Sequence, residues 1–128
     1  MKKKEKLFKE FEESIKKEDR IKVKPKFKIV NLNNSYKETI FDDVKEKIRH
    51  QWKKGYVPVS IAVFPNRING WWFSVCLVFE HRKAVEYCIE KYTRKKSWRD
   101  GLEKKMKKGW IPSGTFIYQY GIAQIFVR

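Results

Sequence analysis

A six-residue motif occurs twice in this chain of 128 residues, at positions 53–58 and again at 107–112. The first copy reads Lys-Lys-Gly-Tyr-Val-Pro and the second reads Lys-Lys-Gly-Trp-Ile-Pro. Each copy follows a helical apolar pattern and precedes two β-like runs. A repeat with a period of about fifty residues indicates that the chain is built from two similar supersecondary units in tandem. We therefore expect a tandem duplication with the order β-α-β-β in each unit.

The first unit is expected at residues 27–79. Thr39 followed by Asp42 resembles a capping box at a helix start. Gly55 is expected to end that helix in a left-handed conformation, directly after lysines that suit the negative end of the helix dipole. Strands are predicted at 27–32, 57–64 and 71–79, with an Asn69-Gly70 turn before the last. The last strand is apolar at nearly every position, which predicts either a central place in the sheet or cover on both faces. The apolar stripe of the helix consists of Phe41, Val44, Ile48 and Trp52.

The second unit is expected at residues 85–128. Ser97 and Asp100 have capping-box spacing at the predicted start of its helix, and Gly109 should end it. Strands are predicted at 85–92, 111–118 and 122–127. The apolar stripe of this shorter helix consists of Trp98, Leu102 and Met106.

These elements predict an α+β fold, because each helix needs a sheet face to cover it. We expect one domain over residues 25–128, with a mainly antiparallel sheet and the helices on one face. Residues 1–24 are expected to form an N-terminal basic amphipathic helix and a lead-in to the first strand. Such a helix either packs on the domain or projects from it. Its apolar positions are Leu7, Phe8, Phe11 and Ile15.

The composition combines a core-forming apolar fraction with a large positive charge. Hydrophobic residues make up 41% of the chain and aromatic residues 16%, while the formal net charge is +16. A disordered polycation would be far less apolar. A folded basic domain favours an anionic partner, such as nucleic acid, an acidic protein or a membrane surface. The alternative is a solvated coat of lysine without a partner.

The remaining features of the sequence favour an intracellular protein. Cys76 and Cys88 lack metal-site spacing, and buried free thiols are the ordinary interpretation in a reducing compartment. No apolar signal-peptide core follows the basic start, and no run approaches the length of a membrane span. We therefore expect a cytoplasmic protein without a transmembrane segment.

Residues 55–62 read Gly-Tyr-Val-Pro-Val-Ser-Ile-Ala, and residues 69–75 read Asn-Gly-Trp-Trp-Phe-Ser-Val. This pattern resembles a poorly characterised βαββ tandem-repeat domain of bacterial proteins and of the C-terminus of plant casein-kinase-like kinases. The resemblance covers about residues 36–128. The second unit departs from it, because Ser-Gly-Thr-Phe at 113–116 replaces the Ser-Ile-Ala strand. The resemblance implies a βαββ repeat and carries no catalytic residues.

Few residues point to catalysis. His50 lies off the apolar stripe of its helix and is expected on the surface. His81 lies beside two basic residues, and it is the weak candidate for a general base in RNA cleavage. No nucleotide-binding loop, metalloprotease motif or nucleophile elbow is present, so no cofactor and no metal site are predicted.

The signal for binding is stronger. The segment 91–108 is rich in lysine and arginine with aromatic residues in or beside it, as single-stranded nucleic acid requires. Trp98, Trp110 and Tyr120 are either core residues or stacking residues. Lys53, Lys54 and Arg67 are secondary phosphate-binding candidates. The predicted interface consists of Arg94, Lys95, Lys96, Arg99, Lys104, Lys105, Lys107, Lys108, Trp110 and Tyr120.

We expect a non-enzymatic module that binds nucleic acid, RNA before DNA, or a ribonucleoprotein. The alternative is a protein-interaction or inhibitor module that recognises an acidic partner. A small basic nuclease or toxin that uses His81 is a third possibility. Exposed strand edges after duplication also make a homodimer an option.

Overall fold

The computed structural model describes residues 24–65 and 72–128. The described chain contains six strands and two helices, in the order β-α-β-β-β-α-β-β. They are β1 (Phe27–Tyr36), α1 (Ile40–Trp52), β2 (Tyr56–Pro65), β3 (Trp72–His81), β4 (Tyr87–Tyr92), α2 (Lys95–Lys107), β5 (Ile111–Tyr118) and β6 (Gly121–Val127). The α+β class predicted from the sequence is confirmed. The predicted N-terminal helix and the Asn69-Gly70 turn lie outside the described residues.

The first unit forms an antiparallel three-stranded sheet in the order β1-β3-β2. The last strand along the chain, β3, lies in the middle, as its apolar sequence predicted. Val75, Leu77 and Phe79 alternate along β3 and bury one face, because successive side chains of a strand point to opposite sides. Helix α1 packs on this face through Val44 and Ile48, which are fully buried.

The second unit repeats this plan in a sheet of the order β4-β6-β5. Gly55 and Gly109, the glycines of the repeated motif, end their helices at φ values of 86° and 88°. In both units the strand pairing shifts directly after the proline of the motif, between Pro58 and Ser60 and between Pro112 and Gly114. The two units therefore share strand order, helix stop and the position of a β-bulge.

The two sheets are separate, which corrects the prediction of a single mainly antiparallel sheet. In each unit the central strand uses both its edges for the other two strands of that unit. The sheets instead meet by side chains, where Gly114 of β5 lies against Ile61 of β2. Because both sheets bury apolar residues, they stack through one core rather than through backbone hydrogen bonds.

The prediction that both helices cover one face of a common sheet is also wrong. Helix α1 lies between the sheets, since its buried residues share a core with Phe116 and Ile125 of the second sheet. Helix α2 covers the opposite face of the second sheet through Trp98 and Lys105. Helix α1 therefore fills the space between the sheets beside the direct contact of β2 with β5, and α2 lies on the far side of the second sheet.

The two helix starts differ from the predicted capping boxes. Thr39 is the N-cap of α1, but its hydroxyl donates to Oδ2 of Asp43 at 3.2 Å, and Asp43 also accepts from Ser35 at 2.7 Å. Helix α2 begins at Lys95 with Arg94 as N-cap, so Ser97 lies inside the first turn. Both helices have a hydroxyl residue and an acid at capping-box spacing, yet neither helix start has a side-chain cap hydrogen bond.

Both cysteines are free thiols, Cys76 in the first sheet and Cys88 in the second. Neither helix of the described chain has the length and apolar character that a membrane span requires.

Candidate nucleic-acid interface

The basic helix α2 is held on the second sheet by a polar network around Gln124. This side chain is 1% exposed, and its Oε1 accepts from the indole N–H of Trp98 at 3.0 Å and from the hydroxyl of Thr115. Its Nε2 donates to the carbonyl oxygens of Gly114 and Ile125 at 3.0 and 3.1 Å. The amide group is fully hydrogen-bonded, so its burial carries no desolvation penalty of an unpaired group. Trp98 is therefore an anchor of the helix, which favours its core interpretation.

The corresponding position in the first unit is Leu77, since Leu77 and Gln124 occupy the same register in the two central strands. Leu77 is fully buried under α1. Helix α2, which faces Gln124 instead, has no fully buried residue. The helix approaches the sheet closely at Gly101, where a Cβ atom would lie 2.5 Å from the ring of Tyr92. The second helix is thus a surface helix that is fixed by a few polar and ring contacts.

Seven of the eight predicted basic residues of this segment are exposed. Within residues 24–65 and 72–128 none of the seven takes part in an ion pair. The first turn of α2 contains no acidic residue, and cations at this end oppose the helix dipole. The cations at the start of α2 therefore destabilise the helix, whereas Lys104 and Lys107 in its last turn suit the dipole. The exposed residues are Arg94, Lys95, Lys96, Arg99, Lys104, Lys107 and Lys108.

Lys105 is the exception, because it is committed to internal contacts. Its ammonium group lies 3.2 Å from Glu90 and 3.6 Å from the sulfur of Cys88. Burial is the largest effect and opposes its charge, but the hydrogen bonds and charge interactions with Glu90 and Cys88 together outweigh it and raise the pKa of Lys105. Burial also raises the pKa of the neighbouring Cys88 thiol. We accordingly assign Lys105 to the attachment of the helix rather than to phosphate.

Trp110 is buried, with 8% of its surface exposed. Lys105 Nζ lies 4.8 Å from the centre of its ring, and Arg128 Cζ lies 4.3 Å from it. These cations and the surrounding core leave the indole no open face, so Trp110 cannot stack on a base in this conformation. The core interpretation of this residue is the one that the geometry favours.

Tyr120 is 70% exposed and lies in the turn between β5 and β6. The next residue, Gly121, approaches the backbone of Tyr92 and Thr93 so closely that a Cβ atom there would lie 2.2 Å from the Tyr92 oxygen. Arg94 follows Thr93 in the chain. The turn that carries Tyr120 and the start of the basic helix are therefore neighbours, a proximity for which the sequence offered no signal.

Lys91 extends this cluster on the side of α1. Its ammonium group lies 4.0 Å from the ring centre of Phe41 and 5.6 Å from that of Tyr118, whose ring is 6.4 Å from the ring of Tyr120. Because a cation over a ring face is attracted to it, the side chain of Lys91 is held near Tyr120 while it remains exposed. We call this cluster the basic end, and it consists of Lys91, Arg94, Lys95, Lys96 and Tyr120.

The secondary candidates lie elsewhere. Lys53 and Lys54 are exposed after the end of α1, and the carbonyl oxygen of Lys54 accepts from Lys24 at 2.8 Å. Arg67 lies outside the described residues. The described geometry does not bring the two lysines into contact with the basic end.

His81 borders a cavity of about 620 Å³ beside the connection between β3 and β4, with Trp52 and Arg82 also in its wall. The exposed imidazole lies edge-on to Tyr56 at 5.3 Å. In the part of the chain that the structure describes, no carboxylate and no second histidine is hydrogen-bonded to its ring. A general base needs a partner that orients it, so this geometry lends no support to catalysis by His81. His50 is exposed, as expected.

Comparison of the chain with protein-family models, with curated proteins and with solved structures found no match. The resemblance to a βαββ tandem-repeat domain therefore stays a prediction, and any function must be argued from the basic end and α2.

Proposed function

We propose that this protein binds single-stranded nucleic acid, RNA before DNA. The binding surface runs along the exposed side of α2 and includes the basic end. The observation that carries the proposal is the exposed ring of Tyr120 in a turn that contacts the start of α2, where Arg94, Lys95 and Lys96 are exposed and form no ion pair with the described residues. Single-stranded nucleic acid is bound by cations that track its phosphates and by aromatic rings on which its bases stack.

Electrostatic repulsion among the exposed cations also favours binding of a polyanion. Three of them, Arg94, Lys95 and Lys96, crowd the positive end of a helix dipole, where they repel one another and the dipole. Such a cluster is relieved when a polyanion replaces the repulsion with phosphate contacts and releases its counterions. Asp100 and Glu103 are the acids of α2, and they are too few to neutralise the helix.

An RNA-binding titration tests the proposal. The probe is a fluorescein-labelled single-stranded RNA of about twelve nucleotides at low ionic strength, with affinity read from anisotropy. Tyr120→Ala should weaken binding by about fivefold to a hundredfold, because stacking of one base contributes about 1–3 kcal/mol. The double substitution Lys95→Gln/Lys96→Gln should weaken it by roughly tenfold.

The control is Lys45→Gln/Lys83→Gln, which removes the same charge from exposed positions on α1 and after β3. It should leave RNA affinity within about twofold of that of the unchanged protein, because these two lysines lie outside the proposed interface and make no phosphate contact there. Absence of binding at low salt would overturn the proposal. Equal losses in both double variants would reduce it to attraction by net charge. Salt-tolerant capture of an acidic protein, without RNA binding, would favour the interaction module instead.

A further inference from the structure

The first sheet has an apolar face that no described element covers. This face is directed away from α1, and we call it the outer face of the first sheet. Phe27, Ile29 and Phe64 are 55%, 63% and 58% exposed on it. Cross-strand pairing places them on the same side as the thiol of Cys76, because directly paired residues share a face. The six apolar positions of the outer face are Phe27, Ile29, Ala62, Phe64, Cys76 and Val78, and Asn31, Ser60, Ser74 and Glu80 lie on the same face.

The equivalent face of the second sheet is covered. The shared bulge and strand order allow each apolar position of the outer face to be matched with one in the second unit. All six matched side chains belong to the core or pack against it, under α1. In the same order they are Tyr87, Ile89, Phe116, Tyr118, Ala123 and Ile125. In the second unit a helix therefore covers this face of the sheet. In the first unit no described helix covers the equivalent face.

We propose that residues 5–19 form a helix that packs on the outer face of the first sheet, as α1 packs on the second sheet. This inference does not depend on nucleic-acid binding. The apolar stripe of the segment, Leu7, Phe8, Phe11 and Ile15, supplies the covering side chains. A helix of this length is only marginally stable alone in water and gains its stability from such a contact.

The chain connection fits this placement. The C-terminal end of α1 lies at the start of β4, where the rings of Trp52 and Tyr87 are 4.8 Å apart. Tyr87 corresponds to Phe27 at the start of β1. Residues 20–26 separate this segment from Phe27, and a fully extended chain of this length reaches about 20 Å. A helix of fifteen residues is about 22 Å long, shorter than the roughly 33 Å of a ten-residue strand.

The positive charge at the edge of the outer face also suits residues 5–19. Acids outnumber lysines between residues 5 and 19, although the chain as a whole is strongly basic. Lys24 and Lys26 are exposed where β1 begins. The N-terminal segment can therefore place its apolar stripe on the sheet and its acids near these cations.

The native cysteines supply a test on the full chain. Cys76 lies on the outer face, whereas Cys88 lies under α2. The rate of alkylation of each thiol by iodoacetamide is measured by mass spectrometry of the two peptides. The variant Phe8→Asp/Phe11→Asp removes apolar contacts, and Lys6→Gln/Lys9→Gln changes the net charge equally on the opposite side of the expected helix.

We expect Cys76 to react about tenfold faster in the phenylalanine variant, because a thiol must be exposed to react. The lysine variant should leave Cys76 unchanged, and Cys88 should be unchanged in both. If Cys88 also accelerates, the variant has unfolded, and the milder Phe11→Ala is measured in its place. An identical Cys76 rate in all three proteins would overturn the proposal. Protection of Cys76 that falls on dilution would also overturn it, since it would assign the outer face to a second copy of the chain.

Discussion

Gln124→Leu should detach the basic helix from the second sheet, although leucine is the residue that the first unit uses at this place. In the first unit Leu77 contacts an apolar helix face, whereas Gln124 is surrounded by groups that need hydrogen bonds. The substitution leaves the indole N–H of Trp98 and the carbonyl oxygen of Gly114 without the partner that they have now. The Ile125 oxygen retains a contact from Ser113.

The magnitude follows from these losses. Each polar group that is left buried without a partner costs about 1–3 kcal/mol. The leucine side chain returns about 1 kcal/mol through additional apolar burial. The net loss in the free energy of unfolding is therefore about 3 kcal/mol. For a domain of this size it lowers Tm by about 10–20 °C.

Urea denaturation followed by tryptophan fluorescence measures this loss directly. The matched control is Thr115→Val, which removes a hydroxyl that is itself exposed and should cost about 1 kcal/mol or less. If Gln124→Leu unfolds at the same urea concentration as the unchanged protein, the polar network does not hold α2. The argument from Trp98 would then be wrong.

Three further predictions concern close contacts and reactivity. Gly101→Ala should destabilise by about 1 kcal/mol, because its Cβ would collide with the Tyr92 ring, and in a Tyr92→Ala background it should stabilise by about the same amount through helix propensity; urea midpoints test both. Gly121→Ala should cost about 2–4 kcal/mol, because its Cβ would meet rigid backbone. Gly109→Ala has open space but a φ of 88° and should cost about 1 kcal/mol. A reversed order of the two variants in thermal denaturation would contradict this. Since burial raises the pKa of Cys88, its alkylation should accelerate at a higher pH than that of an unfolded peptide with the same thiol, which a rate-pH profile checks.

Much of the fold was readable from local patterns. The stripe of Val44 and Ile48, the stop at Gly55 and the central position of β3 follow from periodicity and from glycine chemistry. The separation into two sheets was not readable, because strand propensity does not say which edges remain unpaired. It depends on the stacking of whole units, as at Gly114 and Ile61.

The candidate site was only partly readable. Exposed lysines on α2 were expected from its charge, but the sequence could not tell that Trp110 is enclosed by Lys105 and Arg128. Nor could it place the turn that carries Tyr120 and Gly121 against Thr93 before α2, because these residues lie far apart in the chain. Aromatic residues in a basic segment look alike in sequence, and only packing separates an anchor from an open ring.

The salt dependence of RNA binding tests the central claim most directly. The dissociation constant of the labelled single-stranded RNA is measured over a range of KCl concentrations, and the slope of its logarithm against that of the salt concentration counts the phosphate contacts. Because each contact to a single strand contributes about 0.7 to this slope, Lys95→Gln/Lys96→Gln should lower it by about 1.4. The control Lys45→Gln/Lys83→Gln should leave it unchanged. Equal slopes in the two variants, or no binding at the lowest salt concentration, would contradict the assignment of α2 and the basic end as the nucleic-acid interface.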